Sequence, residues 1–115
     1  MITKENLRDK INEFGAEGGE GHLQLDKLLI APNAPAKLRT YAKATLDPGA
    51  SVGYHVHTGE SECYYILSGE GEYNNDGELV KVFPGDSTFT PNGHGHGIKN
   101  IGSTPLEFMA LIILD

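Results

Sequence analysis

The sequence predicts an all-β domain, a sandwich or barrel of many short strands, entered through one short N-terminal helix. Three observations carry this. The chain has 115 residues, enough for one domain that buries roughly 65% of its unfolded surface. Its fifteen glycines and six prolines are spread along the chain, so that a turn signal recurs roughly every eight to twelve residues. The runs between those signals are short and apolar or alternating, as strands of a sandwich or barrel are.

The N-terminal segment reads as the helix. Thr3 stands as N-cap, Ile2 and Leu7 are spaced as a hydrophobic staple, and Leu7, Ile11 and Phe14 fall on one stripe. The run Gly15-Ala16-Glu17-Gly18-Gly19-Glu20-Gly21 follows. Glycine gives up the most backbone entropy on ordering, so this run reads as a mobile loop. A phosphate cradle is the weaker alternative, because no strand precedes the run and it contains no lysine. The chain thus divides into a helix-and-loop segment, 1–21, and a β domain, 22–115.

Nine strands are expected in the β domain: 22–30, 37–46, 52–57, 62–67, 70–74, 78–83, 87–90, 96–100 and 106–114. Asp47-Pro48-Gly49, Asn75-Asp76-Gly77, Pro84-Gly85-Asp86 and Pro91-Asn92-Gly93 supply a preset φ or a tolerated positive φ where the chain reverses. The last strand is apolar on both faces after Glu107, so each face needs a cover. In so small a domain the second cover is either the opposite sheet or another subunit, and a homodimer is the assembly expected from the latter.

The formal charge of −7 repels phosphate backbones and anionic membranes, so neither nucleic acid nor a membrane is an expected partner. Cys63 is the sole cysteine, which rules out an intramolecular disulfide and fits a reducing compartment. The chain opens without the apolar run of a secretory signal. Its longest apolar run, 108–114, falls far short of the ~20 residues that span a bilayer. A cytoplasmic location is expected.

The chemistry concentrates in one stretch. His55 and His57 are two apart in a strand-like run, so period two aims both imidazoles at one face. Glu62 opens the next strand after the polar loop Thr58-Gly59-Glu60-Ser61, and a hairpin brings its carboxylate opposite the histidines. Glu60 itself reads as a solvated loop charge. Tyr64 shares the inward face of Glu62 with Ile66, while Tyr65 and Leu67 face the other way.

These residues lie in two longer patterns. The run from Gly49 to Gly69 resembles the first cupin motif, G-x5-H-x-H-x4-E-x6-G, with every fixed position filled. The run from Gly85 to Asn100 resembles the second, G-x5-P-x-G-x2-H-x3-N, also complete. Fifteen residues, 70–84, separate them, a short spacing like that of compact microbial cupins. The likeness runs from about residue 38 to the C-terminus.

The resemblance implies a double-stranded β-helix, or jelly-roll β-barrel, with one metal in its mouth, and it makes His96 the fourth ligand. His94 is the competing assignment, which the motif spacing turns down in favour of a rim or surface position. Three imidazoles and one carboxylate suit a divalent transition metal such as Mn, Fe, Ni or Zn, with Co and Cu in the same range, and are wrong for Ca. Open coordination positions would admit water or a ligand. A divalent ion less one carboxylate leaves about one positive charge, which favours anionic oxygen ligands.

Glu62-Cys63-Tyr64 also resembles the E-x-Y pattern of some cupin lyases. Tyr64 is therefore either a catalytic proton donor or base, or an aromatic wall. Tyr41, His22, Phe89 and Phe108 line a pocket or pack. Cupins host lyases, isomerases, decarboxylases, dioxygenases and plain binding modules, so fold does not fix reaction. The leading expectation is a metal-dependent enzyme acting on a small oxygen-rich anion or carbonyl compound. The alternative is a non-catalytic module that binds a sugar or effector through the same ion.

Overall fold

Inward-facing alternation, clearest in four of its strands, gives this chain two sheets with one shared interior. The structure is a computed structural model that describes residues 1–115. Its strands are β1 Lys10–Phe14, β2 His22–Lys27, β3 Leu38–Leu46, β4 Ser51–Val56, β5 Glu60–Ser68, β6 Gly71–Asn75, β7 Glu78–Val82, β8 Ser87–Thr90, β9 Gly95–Asn100 and β10 Leu106–Leu114. They form a six-stranded sheet in the order β1-β2-β3-β10-β5-β8 and a four-stranded sheet in the order β4-β9-β6-β7. Every pairing is antiparallel.

The nine expected strands are present to within a few residues, and the all-β class stands. No helix is long and apolar enough to cross a membrane. The N-terminal helix is different: only a 3-10 turn, Glu5–Leu7, forms, and it has no side-chain cap. A segment this short is marginal as a helix in water. From Lys10 onward it instead gains a ladder with β2, Ile11 opposite Leu25 and Phe14 opposite His22. Ile2, Leu7 and Phe14 are all exposed, so neither the staple nor the stripe is built.

The glycine-rich run is also more tightly placed than a mobile loop. Ala16 is buried, the Ser51 amide donates to the Glu20 carbonyl at 2.8 Å, and the Glu20 amide donates to Ser51 Oγ at 2.9 Å. Gly19 lies so close to the Ser51 carbonyl, and Gly53 to the Glu17 carbonyl, that neither leaves room for a Cβ. Glycine here admits backbone-to-backbone contact, and its flexibility is spent on that approach.

The core joins Leu23, Ala44, Leu46, Ile66, Ile98, Leu106 and Phe108 between the sheets. Asn100, the last residue of the second motif, is 1% exposed and works as a staple at its base. Its Nδ2 donates to the carbonyls of Leu46 (2.9 Å) and Thr104 (2.8 Å), and its Oδ1 accepts from the Gly102 amide. Replacing Asn100 by Ala removes all three partners at once. Because each unsatisfied buried group costs about 1–3 kcal/mol, Asn100→Ala is expected to lower unfolding stability by about 2–4 kcal/mol in urea denaturation. A loss below about 0.5 kcal/mol would show that water replaces those bonds.

Candidate metal centre

A local irregularity in the β4–β9 ladder decides what faces the interior. Plain alternation along β4 would send Val52 and His55 to opposite faces. In the β4–β9 pairing Val52 lies opposite Ile98 while His55 lies opposite His96, so β4 carries one extra residue between them. This bulge turns Val52, His55 and His57 all toward one cavity and leaves Tyr54 and Val56 exposed. It also sets His55 directly across from His96.

Glu62, Tyr64 and Ile66 are buried and follow one another along the inward face of β5, whereas Tyr65 and Leu67 are exposed, as period two requires. The β4–β5 hairpin brings Glu62 to the histidines. One ligand atom from each of His55, His57, Glu62 and His96 lies within 4.8 Å of the others. The three-way core is tighter. His57 Nε2 is 3.0 Å from His96 Nε2 and 3.0 Å from Glu62 Oε1, and His96 Nε2 is 2.8 Å from the same oxygen.

Partners behind the rings fix which nitrogen faces inward. His55 Nδ1 donates to the Gly53 carbonyl at 2.7 Å, and His57 Nδ1 donates to Glu60 Oε2 at 2.7 Å. His96 Nδ1 lies 2.8 Å from the Tyr73 hydroxyl, which is also 2.9 Å from Thr90 Oγ1. Tyr73 can therefore accept from the ring while donating to the threonine. Each histidine then keeps its proton on Nδ1 and turns the lone pair of Nε2 to the centre, the orientation that outer hydrogen bonds impose on metal-ligating imidazoles.

The donor set fits a cation. Burial pushes the Glu62 carboxyl up to about 7, against the pull of His57 and His55. Burial also takes His96 down to about 4, so its ring is neutral at ordinary pH. A carboxyl that burial keeps protonated would be held ionised by a divalent ion set among these lone pairs. Separations near 3 Å also match two donors at about 2.1 Å from one ion.

His94, by contrast, is exposed and bonded to Asp76 Oδ2 at 2.8 Å, outside the cluster. Phe108 lines the cavity. Phe89 is exposed on the outer surface and His22 packs edge-on against Phe14. Tyr41 alternates with the buried Ala42 on β3 and so faces outward.

Glu60 is the main correction. It is 6% exposed, not a solvated loop charge, and it links His57 to Arg39 Nη1. Burial works to raise its carboxyl, but the bonds from His57 and Arg39 outweigh that and hold it below the ordinary range. The signal was present in the sequence: Glu60 is two residues before Glu62 and shares its inward face. Arg39, Tyr73 and Thr90 had no comparable signal. Tyr64 packs its ring 4.8 Å from that of His96 and 4.5 Å from that of Phe108, and it lines a cavity of about 500 Å³ over the cluster.

Two antiparallel sheets enclosing a His3Glu cluster that can hold a metal ion define a jelly-roll barrel of a recognisable class. The Cupin_2 family model, described as the cupin domain, matches residues 42–113, and this chain belongs to the cupin family. It is 46% identical over 97 residues to an oxalate-binding protein of Thermotoga maritima, covering 84% of this chain and 80% of that one. The crystal structure of a Thermotoga maritima protein described as a predicted oxalate decarboxylase superposes with a TM-score of 0.93 at 40% identity over the whole of both chains. A Bacillus subtilis oxalate decarboxylase is 33% identical over 94 residues, which cover 74% of this chain and 24% of that enzyme.

A cation can bind Glu62 only after its carboxyl loses the proton, while His96 needs no deprotonation above about pH 4. Below about pH 7 each bound ion must then displace at least the Glu62 proton. Apparent Mn²⁺ or Zn²⁺ affinity is expected to rise at least about tenfold per pH unit up to about 7 and to flatten above it, measured by titration calorimetry. An affinity that is flat between about pH 5 and 7 would contradict this account of Glu62.

Proposed function

We propose that this barrel holds one divalent transition metal through His55, His57, Glu62 and His96 and binds a small, oxygen-rich carboxylate on that ion, with oxalate the first candidate. The observation that carries the reading is the convergence of His57 Nε2, His96 Nε2 and Glu62 Oε1 to about 3 Å beneath an open cavity. The similarity to a protein named for oxalate binding supports the ligand class. When bound, the ion supplies Lewis acidity and a fixed positive charge for anionic oxygens. The outer bonds to Gly53, Glu60 and Tyr73 hold the rings in place, and Ala44, Val52, Phe108 and Ala110 supply an apolar part of the wall.

Oxalate is expected to bind the Mn²⁺-loaded protein at one per chain, by calorimetry, and not to bind the metal-free protein. Glu62→Gln is expected to lower metal occupancy at least tenfold with the fold retained by circular dichroism. Equal oxalate binding with and without metal would overturn the reading.

Tyr64 favours a catalytic version of the same site. Burial keeps its hydroxyl well above the ordinary phenol range, so it stays protonated and can donate a hydrogen bond to charge that develops on a ligand in the cavity. If the protein turns over a member of an oxalate, oxoacid, sugar-acid and diketone panel, Tyr64→Phe is expected to cut the rate about 100-fold or more with ligand affinity changed little. Tight binding with no turnover across the panel identifies a binding module.

The assembly we infer is a homodimer through the outer face of the six-stranded sheet. There Tyr41, Leu111, Cys63 and Phe89 lie in register across β3, β10, β5 and β8, with Met109 and Tyr65 in the next row. Phe89 is 60% exposed, and a contiguous apolar row of this kind is a typical contact surface. Light scattering is expected to give twice the chain mass, and Leu111→Glu to give the single-chain mass. A single-chain mass for the unsubstituted protein at micromolar concentration would overturn the inference.

A further inference from the structure

Arg39 reaches the cavity through a second ladder irregularity. In the β3–β10 pairing Thr40 lies opposite Ile112 while Leu38 lies opposite Ile113, so Arg39 is the extra residue of a bulge. Bulges re-aim side chains, and Arg39 and Thr40, adjacent in sequence, both line the cavity. Glu60 holds one guanidinium nitrogen, Nη1. The rest of the fork is free to meet a ligand, because the side chain is 59% exposed and a guanidinium carries five N–H donors in a fixed plane. The cation is thus anchored by a buried acid and presented to the cavity, the arrangement that makes an arginine a carboxylate receptor.

Its position fixes how far a ligand must reach. Between the metal-facing Nε2 of His57 and the Arg39 guanidinium stand, in series, the imidazole ring and the Glu60 carboxylate, with His57 Nδ1 2.7 Å from Glu60 Oε2. A two-carbon diacid places both of its carboxylates at the ion and has nothing left to extend. The cavity of about 500 Å³ is in the range of sites for considerably larger molecules. Its lining includes Leu25, Ala44, Ala110 and Ile112, which suits a short hydrocarbon link.

We propose that Arg39 is a specificity-determining residue, and that the cavity selects carboxylic acids carrying a second anionic group several bonds from the end that meets the metal. This rests on the carboxylate-on-metal reading and extends it from oxalate to longer diacids.

The test compares glutarate with pentanoate, matched in carbon number, on protein saturated with Mn²⁺ and checked for metal content. Oxalate serves as the third ligand. Glutarate is expected to bind about 10- to 100-fold more tightly than pentanoate, the range of one charge-assisted contact. Arg39→Gln is expected to erase that preference and Arg39→Lys to retain part of it, while oxalate affinity moves no more than about threefold. A purely structural role, holding Glu60 against His57, would weaken all three acids together and leave their ratio intact. Equal binding of glutarate and pentanoate, or a glutarate preference that survives Arg39→Gln, overturns the proposal while oxalate binding still stands. Failure of oxalate to bind the loaded protein overturns the carboxylate-on-metal reading itself.

Discussion

Everything distinctive in this barrel depends on the crowding of lone pairs at one buried point. Two imidazole nitrogens and a carboxylate oxygen meet at about 3 Å, with a third ring beside them. Such groups repel or compete for a single proton unless positive charge lies among them. Burial drives the same groups toward their neutral forms, raising the proton affinity of Glu62 and lowering that of His96. The apolar interior makes the crowding acute, because it offers little solvent to dilute any charge.

The rest of the fold keeps those groups in place. The bulge in β4 brings His55 opposite His96, and the close backbone approach at Gly53 clamps the N-terminal segment over the same strand. Behind the rings, Gly53, Glu60 and Tyr73 hold the orientation. Asn100 ties the end of β9 to the loop beyond it. The four donors come from β4, the turn after it, β5 and β9, so their geometry is only as precise as the packing of both sheets.

The strands and the donor cluster were legible because they obey simple periods. Alternation placed Glu62, Tyr64 and Ile66 inward, and the two filled motifs pointed to His96 over His94. What escaped was created by pairing across the sheet. The spacing of Leu7, Ile11 and Phe14 suggests a helix, yet β2 offers that segment a ladder and no core for a helix to dock on. Bulges add single residues whose positions depend on two strands at once, so neither the Val52–His55 phase change nor the aim of Arg39 is written in either strand alone. Glu60 was misjudged because its loop neighbours are polar, although its period-two relation to Glu62 was available.

Anomalous diffraction from crystals grown with Mn²⁺ or Zn²⁺ tests the central claim most directly. The account predicts one strong anomalous peak per chain, within bonding distance of Nε2 of His55, His57 and His96 and of a Glu62 carboxylate oxygen. A well-ordered site with those four side chains in place and no peak, or a peak bound elsewhere, would contradict it.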